Sequence, residues 1–179
     1  TSRGVLGSMK VAAQQGMSQF VVCNKDASRD IYCHILSTVP GWSNPTNPAI
    51  ELNTDAGIQR SFGATFESVS GEVAIDVHSD SSAIPKLKKY TASALTWDAT
   101  PTSLPTLGVA LETVRAVSAP DTDDIMIIMG NTSQDLYTIL WDGANNALYT
   151  TPAGKALTAH GVSGSADADF WYDFEWDGN

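Results

Sequence analysis

Short apolar runs separated by polar turns set the pattern of this chain, and the runs recur. Ser18-Gln19-Phe20-Val21-Val22-Cys23, then Asp30-Ile31-Tyr32-Cys33, aligns with Asp123-Asp124-Ile125-Met126-Ile127-Ile128, then Asp135-Leu136-Tyr137-Thr138. The offset is 105 residues throughout, without a gap. Two periods of about 52 residues give that offset, and a middle copy is present. There Glu72-Val73-Ala74-Ile75-Asp76-Val77 supplies the first strand and Leu87-Lys88-Lys89-Tyr90 the second, with a longer loop between them. A further apolar segment precedes each pair, at Val5 to Ala12, Phe62 to Phe66 and Val114 to Val117, and Trp42, Trp97 and Leu148 follow each pair.

Each unit therefore reads as four short strands joined by turns rich in Gly, Asp, Asn and Pro. The units span about 5–56, 57–108 and 109–164, and residues 168–176 begin a fourth, where Tyr172-Asp173-Phe174-Glu175 echoes Thr65-Phe66-Glu67. Helical spacing of apolar positions is lacking. The segment 151–159 is the one weak helical candidate, and Pro152 and Gly154 count against it. The fold class expected is all-β: about three four-stranded antiparallel meanders, propeller-like blades, plus one terminal strand in a single repeat-built domain over 1–179.

These features, a Ser-Gly or Asp-rich turn between apolar strands and a Trp ahead of a Ser/Thr/Pro segment, resemble bacterial secreted and surface proteins with tandem propeller-type repeats. The resemblance implies architecture and is nearly silent on activity. A propeller ring needs at least about four blades, and three units and one strand leave three readings. The chain is part of a longer ring, the units pack as an open or irregular sandwich, or another subunit completes the structure. Trp171, Tyr172, Phe174 and Trp176 form an aromatic terminal strand suited to an open sheet edge, and so are candidate partner contacts. The blander alternative has this strand closing on the first unit of the same chain.

Composition and charge narrow the partners. Hydrophobic residues make up 42% and charged residues 17% of the 179, which is a globular balance. The net charge is −10 and it is lopsided: through Tyr90 eight bases face eight acids, and from Thr91 onward two bases face twelve acids. Such a field repels nucleic-acid phosphates, and the run Lys86-Leu87-Lys88-Lys89 reads as a solvated strand face. The longest apolar run, Ile125 to Met129, is of strand length, so no membrane span is expected in this chain. The start at Thr1 has no leader pattern and fits a processed mature chain or an excised domain alike.

Cys23 and Cys33 lie symmetrically about the turn Asp26-Ala27-Ser28-Arg29, so they face each other across one hairpin. That placement predicts a disulfide, with two reduced buried thiols as the alternative. A disulfide implies an oxidising compartment, hence an extracellular, cell-surface or periplasmic location. The cysteine spacing does not suit a compact zinc ligand set. Asn131-Thr132-Ser133 fits the glycosylation acceptor pattern in a turn, a three-residue match that arises often by chance.

No catalytic residue is nominated. His34, His78 and His160 fall in different units, and phosphate-binding loops, paired-histidine metal motifs and the Gly-x-Ser-x-Gly elbow are missing. Asp76 interrupts an apolar run but shares its strand face with Ala74, so alternation points it away from the core. Glu67 and Glu175 hold matching unit positions, which suggests a structural or solvent-facing role more than a unique acid or base. Asp121, Asp123 and Asp124 are the weak calcium candidate, against a solvated acidic turn; no other cofactor is implied. Trp42, Trp97 and Trp141 are candidate glycan-stacking residues, although regular spacing favours a core role. The leading reading is a non-enzymatic extracellular structural or recognition module, a subunit of a surface assembly or filament whose partner is a protein or further copies of itself. The alternative is a carbohydrate-binding or glycoside-hydrolase-like piece of a larger propeller.

Overall fold

The computed structural model describes residues 6–14, 16, 18–37, 43–46, 49–51, 54, 61–80, 82–133, 135–149, 155–158 and 175–176. Among them there are strands and turns and no helix, so none is long and apolar enough to cross a membrane. The first sheet holds β1 (Leu6–Ala13), β2 (Gln19–Asp26), β3 (Ile31–Ser37), β4 (Ser43–Thr46) and β5 (Ala49–Glu51). The second holds β6 (Phe62–Phe66), β7 (Val73–His78), β8 (Lys86–Thr91), β9 (Thr96–Trp97) and β10 (Thr102–Ser103). The third holds β11 (Leu111–Ser118), β12 (Ile125–Asn131), β13 (Leu136–Asp142), β14 (Ala147–Leu148) and β15 (Lys155–Thr158).

Every sheet is an antiparallel meander with four positions, and the outermost position is split between two short strands that pair with the same neighbour. The sequence suggested one strand there. A proline stands between the two pieces in each unit, at Pro48, Pro101 and Pro152, and a proline withholds the N–H that a continuous ladder needs. The segment weighed as a helix carries β15 instead.

The repeat is a repeat of hydrogen-bond register. Val21 pairs with Ile35 and Met126 with Leu140; Val11 pairs with Val22 and Ala116 with Ile127. Each equivalent differs by the same 105 residues read from the apolar pattern. Even the irregularities recur, between Leu6 and Ser8 and between Leu111 and Thr113. The tight turn after the second strand recurs too. Asp26 Oδ1 accepts from the backbone N–H of Ser28 and Asp30, and Asn131 Oδ1 accepts from Ser133 and Asp135. Asn131 is buried, and its Nδ2, the atom to which a sugar would be joined, donates to Leu107 O and Asp135 Oδ2, both at 3.3 Å.

The sheets stack face to face, with the second in the middle. Val73, Ile75, Val77 and Leu87 pack on Val114, Ile125, Ile127, Met129, Ile139 and Trp141 of the third sheet. The opposite face sets Phe62, Phe66, Ala74 and Tyr90 on Val21, Cys23, Ile31, Cys33 and Ile35 of the first. The innermost strands β1, β6 and β11 line a common cleft of about 410 Å³, the arrangement of propeller-type blades about an axis. Among the described residues no closed barrel forms.

The Trp176 indole Nε1 donates to Val117 O of β11 at 3.1 Å, and Ser118 Oγ donates to Phe66 O of β6. Trp171, Tyr172 and Phe174 lie outside the described residues.

Close approach of β6 to β11 depends on Gly63. A Cβ there would meet Val114 Cγ1 at 3.1 Å, with Ala116 N and Val114 O both at 3.3 Å. Two of these neighbours are backbone atoms of a paired strand and cannot step aside. Gly63→Val is expected to cost about 1–3 kcal/mol of stability in urea unfolding, with a smaller loss for Gly63→Ala. Leu95 and Asn146 occupy matching turns with φ of 53° and 55°, a region asparagine tolerates better than leucine. Leu95→Asn is expected to raise the free energy of unfolding, measured in urea, by about 1 kcal/mol or less.

Candidate functional site

The polar chemistry of the interior gathers where the first two sheets meet. Cys23 in β2 and Cys33 in β3 are direct partners in the ladder, with Cα atoms 4.0 Å apart, and are joined by the expected disulfide. Both are fully buried. Across from them β7 presents Asp76 and His78, also fully buried, with His78 Nδ1 and Asp76 Oδ2 2.6 Å apart. One carboxylate oxygen of Asp76 and both cysteine sulfurs lie within 4.8 Å of one another. Asp76 Oδ1 has no hydrogen-bond partner among the described residues.

Strand alternation had pointed Asp76 away from the core. The alternation itself holds, since Asp76 does share the face of Ala74 and not that of Ile75. That face is covered by the first sheet, so the side chain enters a second core instead of solvent. Lys88 is a related correction: it lies opposite Asp76 in the ladder and is buried, not part of a solvated face. Its neighbours in the run are nearer the surface. Lys86 Nζ lies 3.5 Å from Asp80 Oδ2, and Lys89 Nζ donates to Asn146 Oδ1 at 3.4 Å. His34 lies within β3, half-buried, and His160 is outside the described residues.

A second polar knot joins the other pair of sheets. Glu67, just past β6, is buried. Its Oε1 accepts from Trp141 Nε1 at 2.9 Å, and its Oε2 accepts from Ser70 Oγ at 3.0 Å and Val73 N at 3.1 Å. Burial pushes the Glu67 carboxyl above the usual range, and the nearby Asp123 charge adds to this, while the three donors pull the other way. Of the structural and solvent-facing roles expected for Glu67, its burial and bonds fit the structural one: it ties the turn before β7 to β13.

The candidate calcium ligands do not converge among the described residues. Asp121 is exposed. Asp123 Oδ1 accepts from the backbone N–H of Val69 and Ser70 at 2.9 and 2.8 Å, across to the second unit. Asp124 Oδ1 accepts from Gly143 N at 3.1 Å. Two of the three thus fasten loops. Of the candidate glycan-stacking residues, Trp141 is 3% exposed and offers no open ring face. Trp97 is half-buried against Tyr90, ring centroids 5.6 Å apart, and Trp42 lies outside the described residues.

A carboxyl whose pKa is raised by folding binds protons more readily folded than unfolded. Its contribution to stability is full below the ordinary value of 4.5 and is lost as pH rises through the raised value. The stability of the wild type minus that of Glu67→Gln is therefore expected to fall as pH goes from about 4 to about 7, in paired denaturation curves. A difference that grows with pH would contradict the direction assigned to Glu67.

No known protein-family profile matches the chain, and no curated protein sequence matches it significantly.

Proposed function

We propose that the chain is a non-enzymatic extracytoplasmic structural or recognition module, a subunit of a surface assembly that associates with further copies of itself through its outer sheet faces. One observation carries this reading. The face that the first unit turns to its neighbour comprises Val21, Cys23, Ile31, Cys33 and Ile35. Its equivalents 105 residues on are Met126, Ile128, Leu136, Thr138 and Leu140, which lie on the side of the third sheet turned away from the second, Ile128 buried and the others half-buried.

The converse also holds. The third unit turns Ile125, Ile127, Tyr137, Ile139 and Trp141 to the second, and their equivalents Phe20, Val22, Tyr32, His34 and Leu36 lie on the outward side of the first. Beside these, Met9 and Val11 of β1 are 54% and 57% exposed. Both outward faces thus have the chemistry of faces that stack sheet on sheet within the chain. Such unlike, complementary faces make head-to-tail contacts, which close into rings or extend into filaments. The disulfide supports the oxidising location.

The measurement is the mass and shape of the purified chain, by mass photometry and electron microscopy over a range of concentrations. Self-association is expected, and Val11→Glu is expected to weaken it by placing a charge in an apolar contact. A chain that stays a compact monomer throughout, or association indifferent to Val11→Glu and Met9→Glu alike, would overturn the reading.

A further inference from the structure

The arrangement of Asp76 against the disulfide has a use that neither packing nor assembly supplies. Burying a charged or polar group without a partner is costly, and buried charges are as a rule paired or bound to metal. Here a fully buried carboxylate keeps Oδ1 without a hydrogen-bond partner among the described residues, while His78 occupies Oδ2. Beside it stand two disulfide sulfurs, which can donate nothing, and the buried Lys88, its partner in the ladder.

We propose that Cys23, Cys33 and Asp76 form a redox-gated site for a thiophilic divalent cation, zinc above all, closed by the disulfide and opened by its reduction. The donors stand within 4.8 Å of one another. Tetrahedral zinc, with Zn–S of about 2.3 Å and Zn–O of about 2.0–2.2 Å, needs ligand atoms roughly 3.5–4 Å apart. Side-chain rotation alone can cover the remaining adjustment. Two ligands are ladder partners in adjacent strands and the third stands on a central strand, so the backbone positions are held by sheet pairing. His78 Nδ1 at 2.6 Å from the carboxylate is the kind of outer partner that orients a metal-bound acid. The fourth position falls to water or to His78 itself.

The chemistry balances as follows. Two electrons and two protons from a dithiol convert the Cys23–Cys33 bond into two thiols, and the dithiol becomes its own disulfide. Binding of the cation as a dithiolate then releases those two protons to solvent. Two thiolates and a carboxylate place three negative charges in a buried site; a divalent cation offsets two of them, and Lys88, buried opposite Asp76, stands beside the third. In the reverse direction a disulfide is the oxidant: it takes two electrons from the metal-bound dithiolate and two protons from solvent, becoming a dithiol, while Cys23–Cys33 re-forms and the metal leaves.

The test uses the whole chain, reduced anaerobically with a phosphine, and cobalt(II) as the probe. One cobalt per chain is expected, with a sulfur-to-cobalt charge-transfer band and the visible bands of tetrahedral coordination; the oxidised chain should show neither. Asp76→Asn is expected to weaken cobalt binding at least tenfold, and Cys33→Ser to diminish the charge-transfer band. Zinc should displace the cobalt, and X-ray absorption of the wild-type zinc adduct should show two sulfur neighbours with oxygen or nitrogen completing the shell, a readout that needs no variant. A reduced chain without the charge-transfer band, an oxidised chain that binds equally, or a zinc shell without sulfur would overturn the proposal.

Discussion

The constraint on which the rest of this structure depends is that β7, the strand at the centre of the second sheet, is buried on both faces. A sheet with one solvated face can place polar residues at every second position. Strand β7 has no such freedom, and all six of its residues, Val73 to His78, are buried. Its odd positions fill the core shared with the third sheet and its even positions the core shared with the first. Asp76 and His78 stand on the even side, so each satisfies part of the other's hydrogen-bonding capacity where water cannot.

The interfaces on either side of that sheet are built differently. Toward the third sheet the contact is apolar, with one polar knot at its margin, where Glu67 gathers Trp141, Ser70 and Val73. Toward the first sheet the aromatic contact of Phe66 with Tyr90, at 6.4 Å and nearly perpendicular, is accompanied by a disulfide and an acid–histidine pair. Apolar packing is non-directional and supports stacking alone. A disulfide beside an acid adds chemistry that can change state, and this is why the interface of the first and second units carries the cation proposal.

The repeat ties the fold to the assembly reading. Because the same register returns after 105 residues, bulges included, the faces of the first and third sheets are related by the operation that relates the units within the chain. Trp176 also reaches the third unit, its indole donating to Val117 O of β11.

Strand positions, register and the hairpin disulfide were readable from residue order, because each depends on neighbours in sequence: the period-2 alternation, the symmetry of Cys23 and Cys33 about one turn, the 105-residue offset. The split outermost strands were foreshadowed by Pro48, Pro101 and Pro152, a signal in plain view that the four-strand reading passed over. The environment of Asp76 was not readable. Alternation shows which residues share a face, but not whether that face meets water or another sheet. Placing the acid beside a disulfide more than forty residues earlier in the chain required the packing of one unit on the next. Local periodicity thus sufficed for the strands and their partners, whereas burial, and with it all the candidate chemistry, arose from contacts between units.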